Sequence, residues 1–597
     1  MLSKILIANR GEIAIRVMRT CRELGIASVA VYSELDRDAA HVRYADEAYA
    51  LGGQTAAESY LNTDAIVEAI RKSGADGVHP GYGFFSENAD FSRAVTALGV
   101  AWIGPPPEAI EVMGDKISSR LAAQRAEVAS VPGTTTPITD ASEIVAFGDE
   151  FGYPVAIKAA YGGGGRGMKV VERAEDAQSA FDSAAREAQA YFGRSECYLE
   201  RYLTKPRHVE LQIFCDTHGN GVYISDRDCS TQRRHQKLIE EAPAPEIPED
   251  TRKAMGEAAV KVALACRYVN AGTVEMLYQD GEFFFLEMNT RLQVEHCVTE
   301  EISGLDLVAE QLRVASGSKL SFTQKSIKRR GHSIECRINA EDPTKNFLPS
   351  PGTIRRLRVP SGPGVRWDGG YEEGDTISQF YDNLVGKLIV WAPDRPRAID
   401  RMVRALSEFE IDGVKTTIPA HLALLPTDAF RSVTHSTKWV EDEVDATSFA
   451  EHAPGAGELT VPPTDGAAAT SGPLVEQTVP VEVDGRRYSV KVWLPEAPLA
   501  RAGAVAGGPG RPRPKPAVTG GSGGGAGSGT VTAPMQGTIV KVLVEVGATV
   551  TTGDALVVLE AMKMENHINA ETSGTVQEIR VAAGDSVGTG DILAVIA

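Results

Sequence analysis

An internal repeat near the C-terminus is the feature that most constrains the fold of this chain. Residues 537–560 (GTIVKVLVEVGATVTTGDALVVLE) align without gaps onto 574–597 (GTVQEIRVAAGDSVGTGDILAVIA), and 10 of the 24 positions are identical. Each copy alternates like a set of strands around a Gly-Asp turn, so the repeat predicts a small β-sandwich of two similar halves. The joining segment EAMKMENHINAETS places Lys563 at or near a hairpin tip.

A break in composition separates this repeat from the rest of the chain. Residues 501–530 contain eleven Gly and four Pro and almost no large apolar side chain, which predicts a flexible linker. Before it, PVEVDGRRYSVKVWL predicts a strand pair with a turn at Asp484-Gly485. A lone lysine in a turn is usually only a solvated charge. At the midpoint of a symmetric module behind a flexible linker, Lys563 is better interpreted as an attachment site.

The first 115 residues alternate strand and helix patterns, which predicts an open parallel sheet with ligands at the carboxyl ends of its strands. The character changes from about residue 116. The strand YPVAIKAA leads through YGGGGRGM (161–168) into the strand KVVE, which predicts a mobile hairpin rather than the strand–loop–helix of a Walker site. Residues 331–445 mix short strands with helices and predict a further lobe.

Acidic and amide residues cluster in the segment after residue 270. Glu275 and Glu287 lie on two predicted strands joined by a short turn, so their carboxylates should be neighbours that need a cation such as Mg²⁺. A period-two series continues through residues 287, 289, 291, 293 and 295, which would share one face of an extended segment. Any bend would draw the series into one pocket, although a solvated edge strand could show the same alternation.

Charge and cysteine usage exclude several classes of function. The formal net charge is −19, from 61 basic and 80 acidic residues, which argues against nucleic acid and anionic membranes as partners. The seven cysteines form no C-x-x-C pair, and their odd, scattered set predicts reduced thiols in a cytoplasmic protein. The N-terminus MLSKILIANRGE is interpreted as a first strand rather than a signal peptide, and no stretch approaches the roughly 18 apolar residues of a membrane span.

Six sequence strings in order resemble biotin carboxylase, a member of the ATP-grasp enzymes. They are ANRGEIA (8–14), HPGYGFFSEN (79–88), GDK (114–116), GGGGRGM (162–168), RDCSTQRRHQK (227–237) and FLEMNTRLQVEH (285–296). The string AMKM (561–564) within the doubled repeat resembles the biotin-accepting domain of biotin-dependent carboxylases; Met562 and Met564 favour biotin over lipoyl. Together these motifs resemble the alpha subunit of an acetyl- or propionyl-CoA carboxylase.

The resemblance implies an α/β ATP-grasp biotin carboxylase followed by an all-β biotinyl domain. The implied domains are a Rossmann-like domain (1–115), an ATP-grasp domain (116–330) with a lid at about 131–203, a C-terminal lobe (331–445), an interdomain or subunit-docking segment (446–500), a linker (501–530) and the carrier (531–597). The cofactors implied are biotin on Lys563, MgATP, and Mg²⁺ or Mn²⁺.

The resemblance also implies residue roles. Glu275, Glu287 and Asn289 are implied as metal ligands. Bicarbonate is implied to lie against Lys237, Arg291, Gln293 and the backbone of Val294, with Glu295 as its general base, kept ionised by Arg291. Arg337 is implied to steady biotin's developing negative charge, the alternative being a salt bridge to a nearby acid. The implied nucleotide set comprises Lys116, Lys158, Gly163, Gly164, Gly165, Gly167, Met168, Glu200, His208, Gln232 and His235.

The implied reaction is ATP-dependent: bicarbonate attacks the γ-phosphate, and the resulting carboxyphosphate supplies CO₂ to biotin. No region is large enough for a carboxyltransferase, so a separate carboxyltransferase beta subunit, a biotin protein ligase and an oligomeric complex are the expected partners. Two alternatives remain open. One is another ATP-grasp ligase fused to a carrier, and the other is a non-enzymatic biotin carrier and scaffold with an inactive carboxylase region.

Three positions depart from the family pattern without removing a charged catalytic residue. Cys297 follows VEH where proline is usual, which could loosen the backbone after Glu295. Phe85 replaces a more usual leucine. Leu384 and Gly386 replace a usual Met and Ala in YDNLVGKLI.

Overall fold

The computed structural model describes residues 2–134, 136–159, 168–192, 195–452, 474–483, 486–495, 529–534, 537–561, 564–588 and 590–597. The predicted loop glycines 163–165 and 167, most of the predicted linker, and Met562 and Lys563 lie outside these ranges. The chain divides into two units, one of Met1–Pro454 with Gly529–Ala597 and one of Gly455–Ser528.

The N-terminal region contains a five-stranded parallel sheet, as the sequence predicts. Its strands are β1 (Lys4–Ile7), β2 (Ala27–Tyr32), β3 (Glu47–Ala50), β4 (Gly77–His79) and β5 (Ala101–Trp102), in the spatial order β3-β2-β1-β4-β5. Its α-helices are α1 (Gly11–Glu23), α2 (Ala40–Tyr44), α3 (Thr63–Ser73), α4 (Ala89–Ala97) and α5 (Pro107–Gly114). Helix α3 begins after Asn62, whose side chain accepts from the Ala65 N–H, and ends at Gly74 with a left-handed φ of 64°.

The middle region adds a small sheet and most of a large one. Its elements are α6 (Lys116–Arg125), α7 (Ala141–Phe151), β6 (Val155–Ala159), β7 (Met168–Val171), α8 (Ala177–Phe192), β8 (Cys197–Arg201), β9 (Arg207–Cys215), β10 (Gly221–Arg233), β11 (Gln236–Ala242), α9 (Glu249–Ala265), β12 (Asn270–Gln279), β13 (Glu282–Asn289), α10 (His296–Ser303) and α11 (Leu307–Ala315). Strands β7, β6 and β8 form the small sheet, and β6 pairs antiparallel with β7 from Val155↔Val171 to Lys158↔Met168. The predicted hairpin on either side of the glycine segment is therefore present.

The third region adds three strands to the large sheet and forms three two-stranded sheets. Its elements are β14 (His332–Asn339), β15 (Glu341–Asp342), β16 (Leu348–Pro349), β17 (Gly352–Thr353), β18 (Arg356–Arg358), β19 (Val365–Gly369), β20 (Thr376–Ile377), β21 (Leu384–Ala392), α12 (Arg395–Glu408), β22 (Glu410–Asp412), α13 (Ile418–Leu424), α14 (Asp428–Arg431) and α15 (Trp439–Asp442). The eight-stranded sheet has the order β13-β12-β9-β10-β11-β14-β21-β19, and the two-stranded sheets are β15-β16, β17-β20 and β18-β22. It brings side chains that are far apart in sequence onto one surface.

The segment between the two large regions contains a hairpin, as predicted. Strands β23 (Leu474–Val483) and β24 (Arg486–Pro495) pair antiparallel, with Val483 opposite Arg486. The predicted turn residues Asp484 and Gly485 lie outside the described residues. Within the described residues, no helix is long and apolar enough to cross a membrane.

The C-terminal repeat forms two four-stranded sheets. Its strands are β25 (Thr530–Thr532), β26 (Gly537–Val542), β27 (Thr549–Val550), β28 (Ala555–Ala561), β29 (Met564–Asn569), β30 (Gly574–Ile579), β31 (Ser586–Val587) and β32 (Ile592–Ile596). The sheet orders are β25-β32-β30-β27 and β29-β28-β26-β31. The short middle strand of each sequence copy therefore joins the sheet of the other copy. Strands β28 and β29 pair with Ala561 opposite Met564, on either side of the two residues that include Lys563.

Candidate active site

Strand β9 shows how the sequence separates a core face from a site face. Val209, Leu211 and Ile213 belong to a buried apolar cluster with residues of helix α9. The alternate residues His208, Glu210 and Gln212 project to the opposite face because side chains alternate along a strand. Glu210 and Gln212 are nevertheless fully buried, so they need polar partners.

Arg227 on strand β10 supplies those partners and is itself fully buried. Its Nε donates to Glu210 Oε1 at 2.5 Å. Its two terminal nitrogens donate to Gln212 Oε1 (2.7 Å), Thr299 Oγ1 (3.0 Å), Thr273 Oγ1 (3.0 Å) and Gln293 Oε1 (2.8 Å). The guanidinium is therefore fixed and neutralised. The sequence analysis did not single out Arg227 or Glu210, although polar alternation within RHVELQIF was an available signal.

Lys237 is the central cation of the site. Its Nζ donates to Glu210 Oε2 at 2.7 Å, to Glu275 Oε1 at 3.1 Å and to Glu295 Oε1 at 2.7 Å. Burial lowers the pKa of Lys237, but the three carboxylates raise that pKa well above its usual value. The lysine therefore stays protonated, and it joins strands β9 and β12 to the segment before helix α10.

Glu295 is held between two cations at the start of helix α10. Its Oε1 accepts from Lys237, and its Oε2 accepts from Arg337 Nη2 at 2.9 Å. Burial raises the pKa of Glu295, but Lys237, Arg337 and Arg227 together hold that pKa well below its usual range. The carboxylate is therefore ionised. Arg291, which was expected to keep Glu295 ionised, pairs with Glu87 instead, and Lys237 and Arg337 take its place.

Arg337 on strand β14 connects Glu295 to the sheet. Its Nε donates to Glu240 Oε1 at 2.5 Å, in addition to the bond to Glu295. Burial raises the pKa of Glu240 to about 7, although Arg337 opposes that effect. The alternative interpretation of Arg337, a salt bridge to a nearby acid, is therefore partly correct, but the partners are Glu240 and Glu295 rather than Glu335, Glu341 or Asp342.

The three predicted metal ligands lie at one end of the large sheet. Glu275 and Glu287 are direct cross-strand partners of β12 and β13, so their side chains lie on one face. Asn289 Nδ2 donates to Glu275 Oε1 at 2.9 Å. Glu275 is buried and also lies 3.2 Å from His208 Nε2. Burial raises the pKa of Glu275, but Lys237 and His208 hold it well below its usual range. The neighbouring carboxylates of Glu275 and Glu287, with the amide of Asn289, offer the oxygen ligands that suit a hard divalent cation.

The period-two series is not extended along its whole length. Strand β13 ends at Asn289, and Glu295 is the residue that precedes helix α10. The intervening bend brings Gln293 to Glu275, with Gln293 Nε2 donating at 2.9 Å. Arg291 instead donates through Nε to Glu87 Oε2 at 2.9 Å and through Nη2 to Asn289 Oδ1 at 2.9 Å. The bend therefore brings Gln293 to Glu275 but leaves Arg291 beside Glu87, a partner that the sequence does not reveal.

The predicted nucleotide residues are spread over the small sheet and the large sheet. Lys158 on β6 donates to Glu200 on β8, which also accepts from Arg120 at 3.0 Å. His208 and Gln232 are buried, whereas His235 is exposed in the turn between β10 and β11 with a φ of 63°. Helix α6 begins at Lys116, and Met168 begins β7. The glycines at 163–165 and 167 lie outside the described residues.

The unusual residue Cys297 occupies the first turn of helix α10. It is buried, its Sγ donates to Asp368 Oδ2 at 3.2 Å, and Arg366 Nη2 donates to that Sγ at 3.5 Å. Burial raises the pKa of the Cys297 thiol well above its usual value. The Cys297 side chain is thus held by two side chains from another part of the sequence.

The other departures are accommodated locally. Phe85 stacks on Phe91 with ring centroids 4.2 Å apart. A Cβ at Gly386 would lie 2.5 Å from the Trp367 ring, so glycine at this position provides room for that ring.

Comparison with known families covers nearly the whole chain. The biotin carboxylase N-terminal domain matches residues 1–110, and the ATP-binding domain of the carbamoyl-phosphate synthase L chain matches 115–323. The biotin carboxylase C-terminal domain matches 335–442, and the biotin-requiring enzyme family matches 529–596.

Individual relatives show the same domain combination. The chain is 50% identical over 580 residues to the biotin-dependent acyl-coenzyme A carboxylase alpha3 subunit of Mycobacterium leprae, covering 95% of this chain and 94% of the relative. It is 40% identical over 664 residues to the propionyl-CoA carboxylase alpha chain of Ruegeria pomeroyi, covering 96% of each. The crystal structure of a biotin carboxylase–ATP complex from Campylobacter jejuni is similar with a TM-score of 0.67 and 46% identity, covering 74% of this chain and 98% of that one.

A second solved structure is the biotin carboxylase domain of 2-oxoglutarate carboxylase from Hydrogenobacter thermophilus, in complex with MgADP, ADP and bicarbonate. It is 45% identical with a TM-score of 0.67, covering 75% of this chain and 99% of that one.

This chain belongs to the family of biotin-dependent carboxylases, among the alpha subunits of acyl-CoA carboxylases. It combines an ATP-dependent biotin carboxylase with a biotinyl domain. The predicted fold class and the predicted cofactors, biotin and MgATP, are confirmed. The individual residue roles stay predictions.

Proposed function

We propose that the reaction centre of this biotin carboxylase is the group Lys237, Glu295 and Arg337, and that its product is carboxylated biotin on Lys563. The observation that carries the proposal is the pairing of Glu295, whose two carboxylate oxygens accept from two different cations, Lys237 and Arg337. A buried carboxylate between a lysine and an arginine provides both a proton acceptor and two positive groups for anionic substrates.

Glu295 would accept the proton of bicarbonate. In the structure its pKa lies well below its usual range, with Lys237 as the strongest opposing cause to burial. When Lys237 donates a hydrogen bond to bicarbonate, it stabilises the Glu295 carboxylate less. The pKa of Glu295 then rises toward the range of a useful base. Gln293 and the backbone of Val294 would orient the bicarbonate, and Arg291 would do so after release from Glu87.

Glu275, Glu287 and Asn289 would hold the divalent metal, which supplies charge neutralisation at the phosphate oxygens when bound. Lys116 and Lys158 would contact the phosphates, with the glycines 163–165 and 167 and Met168 closing over them. Glu200, His208, Gln232 and His235 complete the proposed nucleotide set. The support is the shared face of the two glutamates and the pairing of Lys158 with Glu200.

Arg337 would stabilise negative charge on the ureido group of biotin, which supplies the nitrogen that accepts the carboxyl group. The guanidinium is already charged and fixed by Glu240, so it needs no reorganisation when the anion develops. Its second contact, to Glu295, links the bicarbonate and biotin sides of the site.

The test uses the full biotinylated chain and radiolabelled bicarbonate. ATP hydrolysis should depend on bicarbonate, and label should enter the protein in an ATP-dependent manner. Lys563→Arg should abolish label in the protein while free biotin is still carboxylated, and the matched variant Lys541→Arg, at an exposed lysine of the same domain, should behave as wild type. Incorporation of label in the Lys563→Arg chain would contradict the attachment site.

We also propose the partners of the chain. A carboxyltransferase beta subunit would receive the carboxyl group and pass it to acetyl- or propionyl-CoA, and a biotin protein ligase would load Lys563. The hairpin of β23 and β24, within the proposed docking segment 446–500, is the candidate contact for that subunit in an oligomeric complex. Co-purification followed by assay with acetyl-, propionyl- and longer acyl-CoAs tests these assignments. Deletion of 474–495 should abolish co-purification but leave free-biotin carboxylation intact.

The cytoplasm is the proposed site of action. All seven cysteines are free, and six of them are buried, which suits a reducing compartment. The domain boundaries proposed from the sequence, 1–115, 116–330, 331–445, 446–500, 501–530 and 531–597, are retained as proposals; limited proteolysis should cut first within 501–530.

A further inference from the structure

Lys387 is a fully buried lysine outside the proposed catalytic set. It lies on strand β21, and its Nζ donates to the carbonyl oxygen of Val294 at 2.8 Å. The same Nζ lies 3.4 Å from Glu12 Oε1 at the start of helix α1. The ammonium group of Lys387 therefore contacts both the segment before helix α10 and the N-terminal region.

The register of the sheet places Lys387 beside Arg337. The two residues are direct cross-strand partners on β21 and β14, so their side chains lie on the same face. Arg337 holds the carboxylate of Glu295, and Lys387 holds the carbonyl of Val294. Arg337 and Lys387, two neighbouring cations of one sheet, thus contact two consecutive residues of the chain.

Burying the charge of Lys387 costs free energy, and a purely structural role would not require a charged side chain at this position. An ammonium group taken from water is unfavourable unless it is paired, and an apolar side chain often fills such a position with equal or better stability. Burial lowers the pKa of Lys387, but Cys297, Glu12, Glu335 and Asp368 hold that pKa raised, so the lysine stays charged. Its shortest contact in the structure is the bond to Val294.

The contact acts on the peptide bond that connects Val294 to Glu295. A peptide unit is planar, so fixing the carbonyl oxygen of Val294 also fixes the direction of the Glu295 N–H and the position of the Glu295 Cα. We infer that Lys387 is a positioning residue that sets the Val294–Glu295 peptide for bicarbonate. The inference rests on the proposed roles of Val294 and Glu295 in binding and deprotonating bicarbonate.

The experiment is steady-state kinetics of the full chain with free biotin as acceptor, for wild type and Lys387→Met. Methionine keeps the length and removes the donor. The KM for bicarbonate should rise at least tenfold, whereas the KM for ATP should change less than twofold, because Lys387 contacts none of the proposed nucleotide residues that the structure describes. Lys319→Met, at an exposed lysine, serves as the control and should match wild type.

A second variant guards against loss of folding. Lys387→Met leaves Glu12 without its cation, so Lys387→Met combined with Glu12→Gln restores the charge balance and should still show the raised KM for bicarbonate. Three results would assign Lys387 a structural role and overturn the inference: an equal rise in both KM values, a fall in kcat alone, or unfolding of both variants. If the wild-type chain itself lacks bicarbonate-dependent ATP hydrolysis, the proposed function fails instead.

Discussion

Replacement of Glu295 by glutamine should lower the catalytic rate strongly but the free energy of unfolding only slightly. The change keeps the shape of the side chain and removes its charge and its capacity to accept a proton. Loss of a positioned general base typically costs about 10²- to 10⁴-fold in rate, which corresponds to about 3–5 kcal/mol in the activation barrier. We therefore expect kcat for free-biotin carboxylation to fall by that factor.

The structure predicts a much smaller effect of the same change on folding. Lys237 keeps two carboxylates, Glu210 and Glu275, and Arg337 keeps Glu240, so no cation is left without a partner. The cost of a stranded buried charge, about 3–5 kcal/mol, therefore does not apply, and we expect about 1 kcal/mol from the lost charge on the hydrogen bonds.

The assay is carboxylation of free biotin by the full chain, with urea unfolding of the same preparation. Glu301→Gln is the matched control, since Glu301 lies on helix α10, which begins directly after Glu295, and its carboxylate is 3.3 Å from the half-buried Arg366. It should retain activity within about twofold. A Glu295→Gln chain that keeps more than a tenth of wild-type kcat would refute the assignment of the base, and one that unfolds would refute the charge argument.

Three further predictions follow from the same contacts. Arg227→Met should lower the free energy of unfolding by about 3–5 kcal/mol in urea titrations, because it leaves the buried oxygens Glu210 Oε1, Gln212 Oε1 and Gln293 Oε1 without their donor while Lys237 still pairs with Glu210. Arg355→Met at an exposed pair should cost less than about 1 kcal/mol. Glu87→Gln should change the KM for bicarbonate about two- to fivefold, because the Glu87–Arg291 ion pair is partly exposed and of modest strength. An unchanged KM would show that Glu87 has no part in holding Arg291. Burial raises the pKa of Glu300, but Arg16, His296, Arg366 and the Leu307 N–H together lower it from 4.5 to about 2. This contribution to stability is therefore present above about pH 4.5 and is lost as the pH falls toward 2. Glu300→Gln should remove that part of the acid dependence of unfolding.

Much of the site could be predicted from the sequence. Lys237 and Glu295 lie in recognisable strings, Glu275 follows from the predicted strand pair and Arg337 from the resemblance, and the structure brings all four within one connected set of ion pairs. Arg227 was missed although it lies in one of those strings. Its importance comes from burial and from five partners on other elements, which no local pattern reveals.

Nonlocal pairing also explains the wrong expectations. The sequence analysis placed Arg291 beside Glu295, because the two share a period-two spacing. The chain bends after Asn289, and Arg291 finds Glu87 from the N-terminal region, a partner 204 residues away. The contacts of Cys297 are nonlocal in the same way, since Asp368 and Arg366 lie far away in sequence.

The exchanged short strands of the C-terminal sandwich have a consequence for biosynthesis. Because β31 completes the sheet of the first copy and β32 lies within the other sheet, the first sheet needs residues up to Val587 and the second needs residues up to Ile596. We expect nascent chains that stop before Ile592 to be poor acceptors of biotin, since a ligase that recognises the folded domain would meet only an open half.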